Sequence, residues 1–469
     1  MTTPATSPPT PAERARFIRA RIPAGGLFAG QDWRISPAPF PLGRELAASL
    51  ESLGRVLLQF NRAVNLLYRQ SLAGKQPSWV AQWLDQGKPP QLLEIQRSAA
   101  LKAELPRVLR PDIILTESGP CIAELDSVPG GIGLTAWLNQ VYSAAPLAAP
   151  GILGGAGGHD VESSLRLDPA AAPTVVGGAD GMIRGFAGIF GEASSVHIVI
   201  SEEAQTYRPE MDWLAAQLGE RFRVRDARFD QFEHGGAVYR FFELFDLPNV
   251  PSAKTIIDLA LAGKIRLTPP PRPLFEEKML FALLWNRNLR PFWRQELGQG
   301  FLDRLQQLVP YTWMVDPSPL PPQGAIPELN LTDWTQLKSL SQRDRELILK
   351  ISGFSEKAWG ARGVHLGSDL STADWSAAVD EAIRSFPRSP YVLQRYHKPR
   401  LVESHWFDFE KNELAAMPGR VRLCPYYFVS GDGDAARAGL CGVLATICPA
   451  DKKIIHGMSS AILAPCSVE

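Results

Sequence analysis

Residues 110–131 read RPDIILTESGPCIAELDSVPGG, and this stretch restricts the fold more than any other. Two apolar runs, IILT and CIAELD, flank a turn-forming ESGP, which predicts a β-hairpin. Side chains two apart on a strand share a face, so Glu124 and Asp126 point together while Ala123 and Leu125 point away. Asp112 joins them only if the connection offsets the strands. A two-residue Ser-Gly turn pairs Asp112 with Leu125. A three-residue Ser-Gly-Pro loop, or a bulge of the same effect, pairs it with Asp126.

Three carboxylates within about 4–6 Å repel by a few kcal/mol per pair at an effective dielectric near 20, so their convergence requires a cation. Hard oxygen ligands on strands suit Mg²⁺ carried in by phosphates, with Asp112, Glu124 and Asp126 as its ligands. Arg110 suits an anionic group nearby. The alternative is a solvated strand face with separate acids. Gly130, Gly131 and Gly133 then form a strand-to-helix loop whose N–H groups can approach an anion.

At 469 residues the chain exceeds what one core usually supports, so two or three lobes are expected. Lys plus Arg and Asp plus Glu number 49 each, which points to neither a nucleic-acid nor a membrane partner. No run of about 18 apolar residues predicts a membrane span. Five cysteines without a CxxC pair argue against a zinc knuckle or disulfide framework and fit a reducing, cytoplasmic setting. The Pro/Thr-rich, then basic, start predicts a disordered tail over 1–30, with a targeting segment the lesser reading.

Residues 31–189 read as a helical region plus the acidic hairpin, with a long amphipathic helix over Leu42 to Leu72 and a loop-rich stretch at 150–182. The strand pattern VHIVI, the helix PEMDWLAAQLG and the strand FRVRDA predict a small parallel α/β unit over 190–270. Residues 271–469 read as α+β, with LILKIS, YVLQRYH and strands near 402–409, 420–429 and 440–448 in an antiparallel arrangement.

Lys350 ends an apolar strand and precedes a loop punctuated by Gly353, Gly360 and Gly363. The spacing is neither a P-loop nor a dinucleotide fingerprint, but it suits a flap over a triphosphate with Lys350 as a point charge. An ordinary strand-terminal lysine is the alternative. YVLQRYH, with Gln394 and Tyr396, offers a strand end suited to an adenine edge. Lys278 begins the helix of EEKMLFALLW, and RVRLCPYYF sets Arg420 and Arg422 on one strand face.

In this order, RPD, ELD, EEKMLFALLW, Lys350 with GFSEKAWGARG, YVLQRYH and RLCPYYF resemble the ATP-grasp superfamily, in particular its circularly permuted members related to glutathionylspermidine synthetase. The resemblance covers roughly residues 105–430. It departs at Asp126, where an Asn is usual, and at Ile351, where a Pro is common, and no amidase-like cysteine precedes Cys121. It implies antiparallel sheet lobes enclosing ATP, a Mg²⁺ site at Asp112, Glu124 and Asp126, and phosphate or nucleotide contacts from Lys278, Lys350, Gly353, Gly360, Gly363, Gln394 and Tyr396. Arg110 and Arg422 become the candidates at the reacting carboxylate. The implied reaction joins a small-molecule carboxylate to an amine or peptide through an acyl phosphate. A kinase on the same ATP site, or a non-catalytic nucleotide-binding protein, is the alternative.

Overall fold

A computed structural model describes residues 9–145, 174–319, 326–358, 362–453, 455 and 457–469. Helix α1 (Pro11–Arg19) starts at Thr10, whose hydroxyl caps the helix while Glu13 reaches back to the Thr10 backbone. Ala15 and Ile18 are buried, so the stretch expected to be a disordered tail holds a docked helix from residue 11 onward. The Thr-x-x-Glu signal was present, under a Pro-rich composition that hid it.

Helix α2 (Arg44–Leu72) buries Leu50, Leu53, Leu57, Phe60, Val64 and Leu67, a stripe at three- and four-residue spacing. Strands β1 (Val108–Thr116) and β2 (Gly119–Asp126) form the acidic hairpin, which leads into α3 (Ile132–Ala144). The loop-rich stretch expected at 150–182 lies outside the described residues up to 173.

The α/β unit follows: β3 (Val196–Ile200), α4 (Arg208–Leu218), β4 (Phe222–Asp226), β5 (Ala237–Phe241) and β6 (Arg266–Thr268). Its strands are parallel in the order β4-β3-β5-β6. All five side chains of VHIVI are buried, which explains why it is apolar but for His197.

After α5 (Met279–Trp285), strands β7 (Thr312–Met314), β8 (Leu347–Ile351), β9 (Val364–Leu366) and β10 (Tyr391–Arg395) build an antiparallel sheet ordered β7-β10-β8-β9. Helix α6 (Thr372–Ser385) packs Trp375, Val379 and Ala382 onto it. Strands β11 (Leu401–Asp408), β12 (Glu413–Ser430), β13 (Arg437–Pro449) and β14 (Ile462–Val468) then return to the hairpin, giving the order β14-β13-β12-β1-β2. The first half of β12 pairs with β11 and the second with β1. The strands of residues 271–469 therefore fall in two sheets, and the chain changes sheets near residue 400. Local periodicity marks each strand, but the choice of neighbour is a long-range contact that periodicity does not encode.

Candidate functional site

The hairpin turn is Glu117-Ser118, two residues long and one position earlier than the turn expected. Continued regularly, that register would set Asp112 opposite Ala123. A bulge between Asp112 and Ile113 intervenes, and the pairs become Asp112 with Glu124 and Arg110 with Asp126. The bulge, not the loop, delivers the expected common face.

Neighbouring strands extend this face. Leu423 pairs with Ile113 and Tyr427 with Leu109, which sets Cys424 beside Asp112 and Tyr426 beside Arg110. On the far side of β12, Thr446 pairs with Arg422 and Leu444 with Cys424. The sheet thus forms the floor of a cavity of about 660 Å³, roofed by the β7–β10 sheet and walled by the α/β unit.

The acids on the floor answer to protein cations. Arg110 Nη2 lies 2.7 Å from Asp126 and 3.3 Å from Asp112, and Arg422 Nη1 lies 3.2 Å from Asp112. The Cys424 thiol donates to Asp112 at 3.4 Å. Burial works against the Arg110 charge, yet Asp112 and Asp126 outweigh it and hold the guanidinium firmly protonated. Burial pushes the Asp126 carboxyl up, and Arg110 pulls it back. The Nε atoms of Arg110 and Arg422 are buried without a hydrogen-bond partner among the described residues.

The roof differs. Lys278 Nζ lies 2.8 Å from Glu124 and donates to the Ala358 carbonyl at 3.1 Å. Burial opposes its charge, but Glu124 more than compensates and raises its pKa. Lys350 is only 7% exposed, and donates to the Ala123 carbonyl at 3.1 Å and the Gln394 side-chain oxygen at 2.9 Å. Both acceptors are neutral, and no ion pair of Lys350 occurs among the described residues. Burial accordingly lowers its pKa.

Gln394 donates its amide N–H to the Thr312 hydroxyl at 3.1 Å, so both ends of its side chain are engaged within the protein. It orients Lys350 and also lines the cavity. Tyr396 lines the cavity, as expected. Gly353 and Gly363 serve close packing: an added Cβ would stand 2.6 Å from the Glu276 carbonyl and 2.7 Å from the Lys357 carbonyl, respectively. Gly360 lies outside the described residues.

The loop after β2 also has an anion, and it is internal. Glu210 on α4 accepts from the N–H groups of Gly131 at 2.7 Å and Leu134 at 2.8 Å. Burial pushes its pKa up to about 7 despite these donors. Gly130 leaves room for the Tyr207 ring, 2.1 Å from where a Cβ would sit, and Gly131 adopts φ +85°.

Sequence reasoning missed Glu210 and Tyr207, which reach the site from a distant segment, gave no role to Cys424 and Tyr426 within RVRLCPYYF, and missed the ion pair Lys88–Glu277. That pair is 2.6 Å long and fully buried, and it anchors the residue preceding Lys278. Glu277 in EEK was the only local signal for it.

Asp112, Glu124 and Asp126 share a face, but among the described residues no group of three or more His, Cys, Asp or Glu is arranged to hold a metal ion. Each expected ligand faces a guanidinium or an ammonium, so the donor set as it stands does not fit a metal cage. Among the described residues no helix is long and apolar enough to cross a membrane.

No protein-family model and no curated protein matches the sequence. Among solved structures, the chain is similar to a glutathione synthetase-like effector from Globodera pallida in its apo form, at 10% identity over 97% of this chain and 95% of that one, with a TM-score of 0.50. A protein described provisionally as a gamma-glutamylcysteine synthetase, from Methylobacillus flagellatus, aligns at 10% identity over 88% and 87% with a TM-score of 0.38, too low to carry an argument. The chain has a mixed α+β, synthetase-like fold.

Proposed function

We propose that the protein is an ATP-dependent ligase joining a carboxylate to an amine, with a circularly permuted ATP-grasp arrangement. The observation that carries this reading is Lys350, a buried cation on the cavity wall held only by neutral acceptors. A buried charge without a counter-charge is costly, and an anionic ligand removes that cost. Lys278 stands beside the same space, so two ammonium groups meet a polyphosphate on the roof while two guanidinium groups face it from the floor.

In this reading Lys278 and Lys350 hold the phosphates, and the guanidinium groups of Arg110 and Arg422, which line the cavity, face the acid substrate. A carboxylate oxygen bonds to the γ-phosphorus as the bond to the bridging oxygen breaks, releasing ADP. The amine then bonds to the acyl carbon, phosphate leaves, and the amine loses a proton. The walls exclude water that would hydrolyse the acyl phosphate. Magnesium enters as MgATP, a cosubstrate, and no step is assigned to a resident ion.

Purified protein with MgATP and a library of acids and amines tests this. A ligase yields ADP, free phosphate and an amide. ADP with a phosphorylated acceptor makes it a kinase, and neither binding nor turnover of MgATP removes the reading.

A further inference from the structure

The floor of the cavity is not uniform. Its charged residues stand on β1 and β2, apart from Arg422, whereas the two strands beyond them present Cys424, Tyr426 and Leu444. At about 4.8 Å per strand, Leu444 lies roughly 10 Å across the sheet from Asp112 and about 14 Å from Glu124 and Asp126. Leu27, Leu134, Tyr207 and Met458 also line the cavity and belong to, or pack against, the apolar cluster that holds Cys424, Tyr426 and Leu444. The uncharged polar side chains Gln31, Thr206 and Thr446 line the cavity too.

Apart from the buried Thr446 hydroxyl, which has no partner among the described residues, the main donors on this side are already taken. Glu210 occupies the N–H groups of Gly131 and Leu134, and the Tyr426 hydroxyl donates to the Gly130 carbonyl at 2.7 Å. Two of the charged groups lining the cavity are paired, Arg362 with Glu203 at 3.2 Å and Lys453 with Asp369 at 2.7 Å. Arg110 and Arg422, by contrast, bring two guanidinium groups to the cavity lining.

We infer that the acid this site accepts is a monocarboxylate with an apolar body, its carboxylate at Arg110 and Arg422 and its aromatic or branched aliphatic portion against Tyr207, Tyr426, Leu444 and Met458. The inference rests on the ligase reading for the reaction, but not for the binding preference. A dicarboxylate or a charged peptide would bring its second charge onto a wall of apolar and uncharged side chains.

Two measurements test it. The first supplies MgATP and hydroxylamine, whose nitrogen attacks the acyl carbon of an acyl phosphate, displacing phosphate and losing a proton to give a hydroxamate. Phenylalanine, leucine and 3-phenylpropionate should give kcat/KM at least about tenfold above glutamate and glutathione. Equal or better use of the charged acids overturns the inference. The second titrates the same acids against the protein without nucleotide, in wild type and in Met458→Lys, a substitution at a half-buried loop position. The apolar acids should bind more tightly to wild type, and the variant should lose that preference about tenfold while gaining for glutamate. An unchanged preference in the variant, or none in wild type, overturns the assignment of this wall. A protein that shows the preference yet never turns over MgATP overturns the ligase reading alone.

Discussion

The floor and roof of the cavity handle charge in opposite ways. On the floor, Asp112, Asp126, Arg110 and Arg422 neutralise one another within one sheet face. On the roof, Lys350 rests on a carbonyl and an amide. A self-neutralised network is rigid and loses little when the ligand leaves. A cation on neutral acceptors is poised, and its energy is lowest only when an anion arrives. The contrast assigns positioning to the floor and ligand capture to the roof.

The most severe way to break that contrast is to unseat the roof. Lys88→Met strips Glu277 of its buried partner and should destabilise the fold by about 3–5 kcal/mol, read from denaturant midpoints. Next comes the pH response of Glu210. Its folded pKa of about 7 exceeds its ordinary value, so the folded chain retains a proton that the unfolded chain has lost between about pH 4.5 and 7. This contribution to stability is full below that window and fades as pH rises through about 7, amounting to up to about 3 kcal/mol. Melting temperatures from pH 5 to 8 should show that slope, and Glu210→Gln should flatten it.

Lys350→Met keeps the roof packed but discharges it. MgATP turnover should fall about 100-fold, roughly 2.7 kcal/mol of barrier, with the melting temperature maintained or raised. Normal turnover in this variant would remove the capture role. The smallest and most pointed change is Gln394→Glu, which gives Lys350 a counter-charge and makes the roof resemble the floor. ATP affinity by calorimetry should drop about tenfold, and unaltered affinity would show that the neutrality of its acceptors does not matter.

Much of this was legible in the sequence because it is local. The α2 stripe, the VHIVI strand and the parallel α/β unit follow from spacing and apolar runs, and so does the shared face of Glu124 and Asp126. What escaped was set by contacts between distant segments. Nothing near Gly131 says that Glu210, nearly eighty residues on, caps its N–H. Nothing near Gln394 says that its amide lies between Lys350 and Thr312. The residues expected at the site were largely placed together, but the partners that define their charge states were not readable.

The bulge in the hairpin leaves a last consequence. Ala123 is the extra residue, and its carbonyl accepts from Lys350 across the cavity. Deleting it would regularise the ladder and keep Asp112 opposite Glu124, so every named acid would stay in place while the bond between the two sheets would be lost. A backbone carbonyl can come from any residue type, so position 123 is free to vary in identity. What descendants of this chain must conserve there is the number of residues, a constraint visible in the lengths of segments and invisible in their letters.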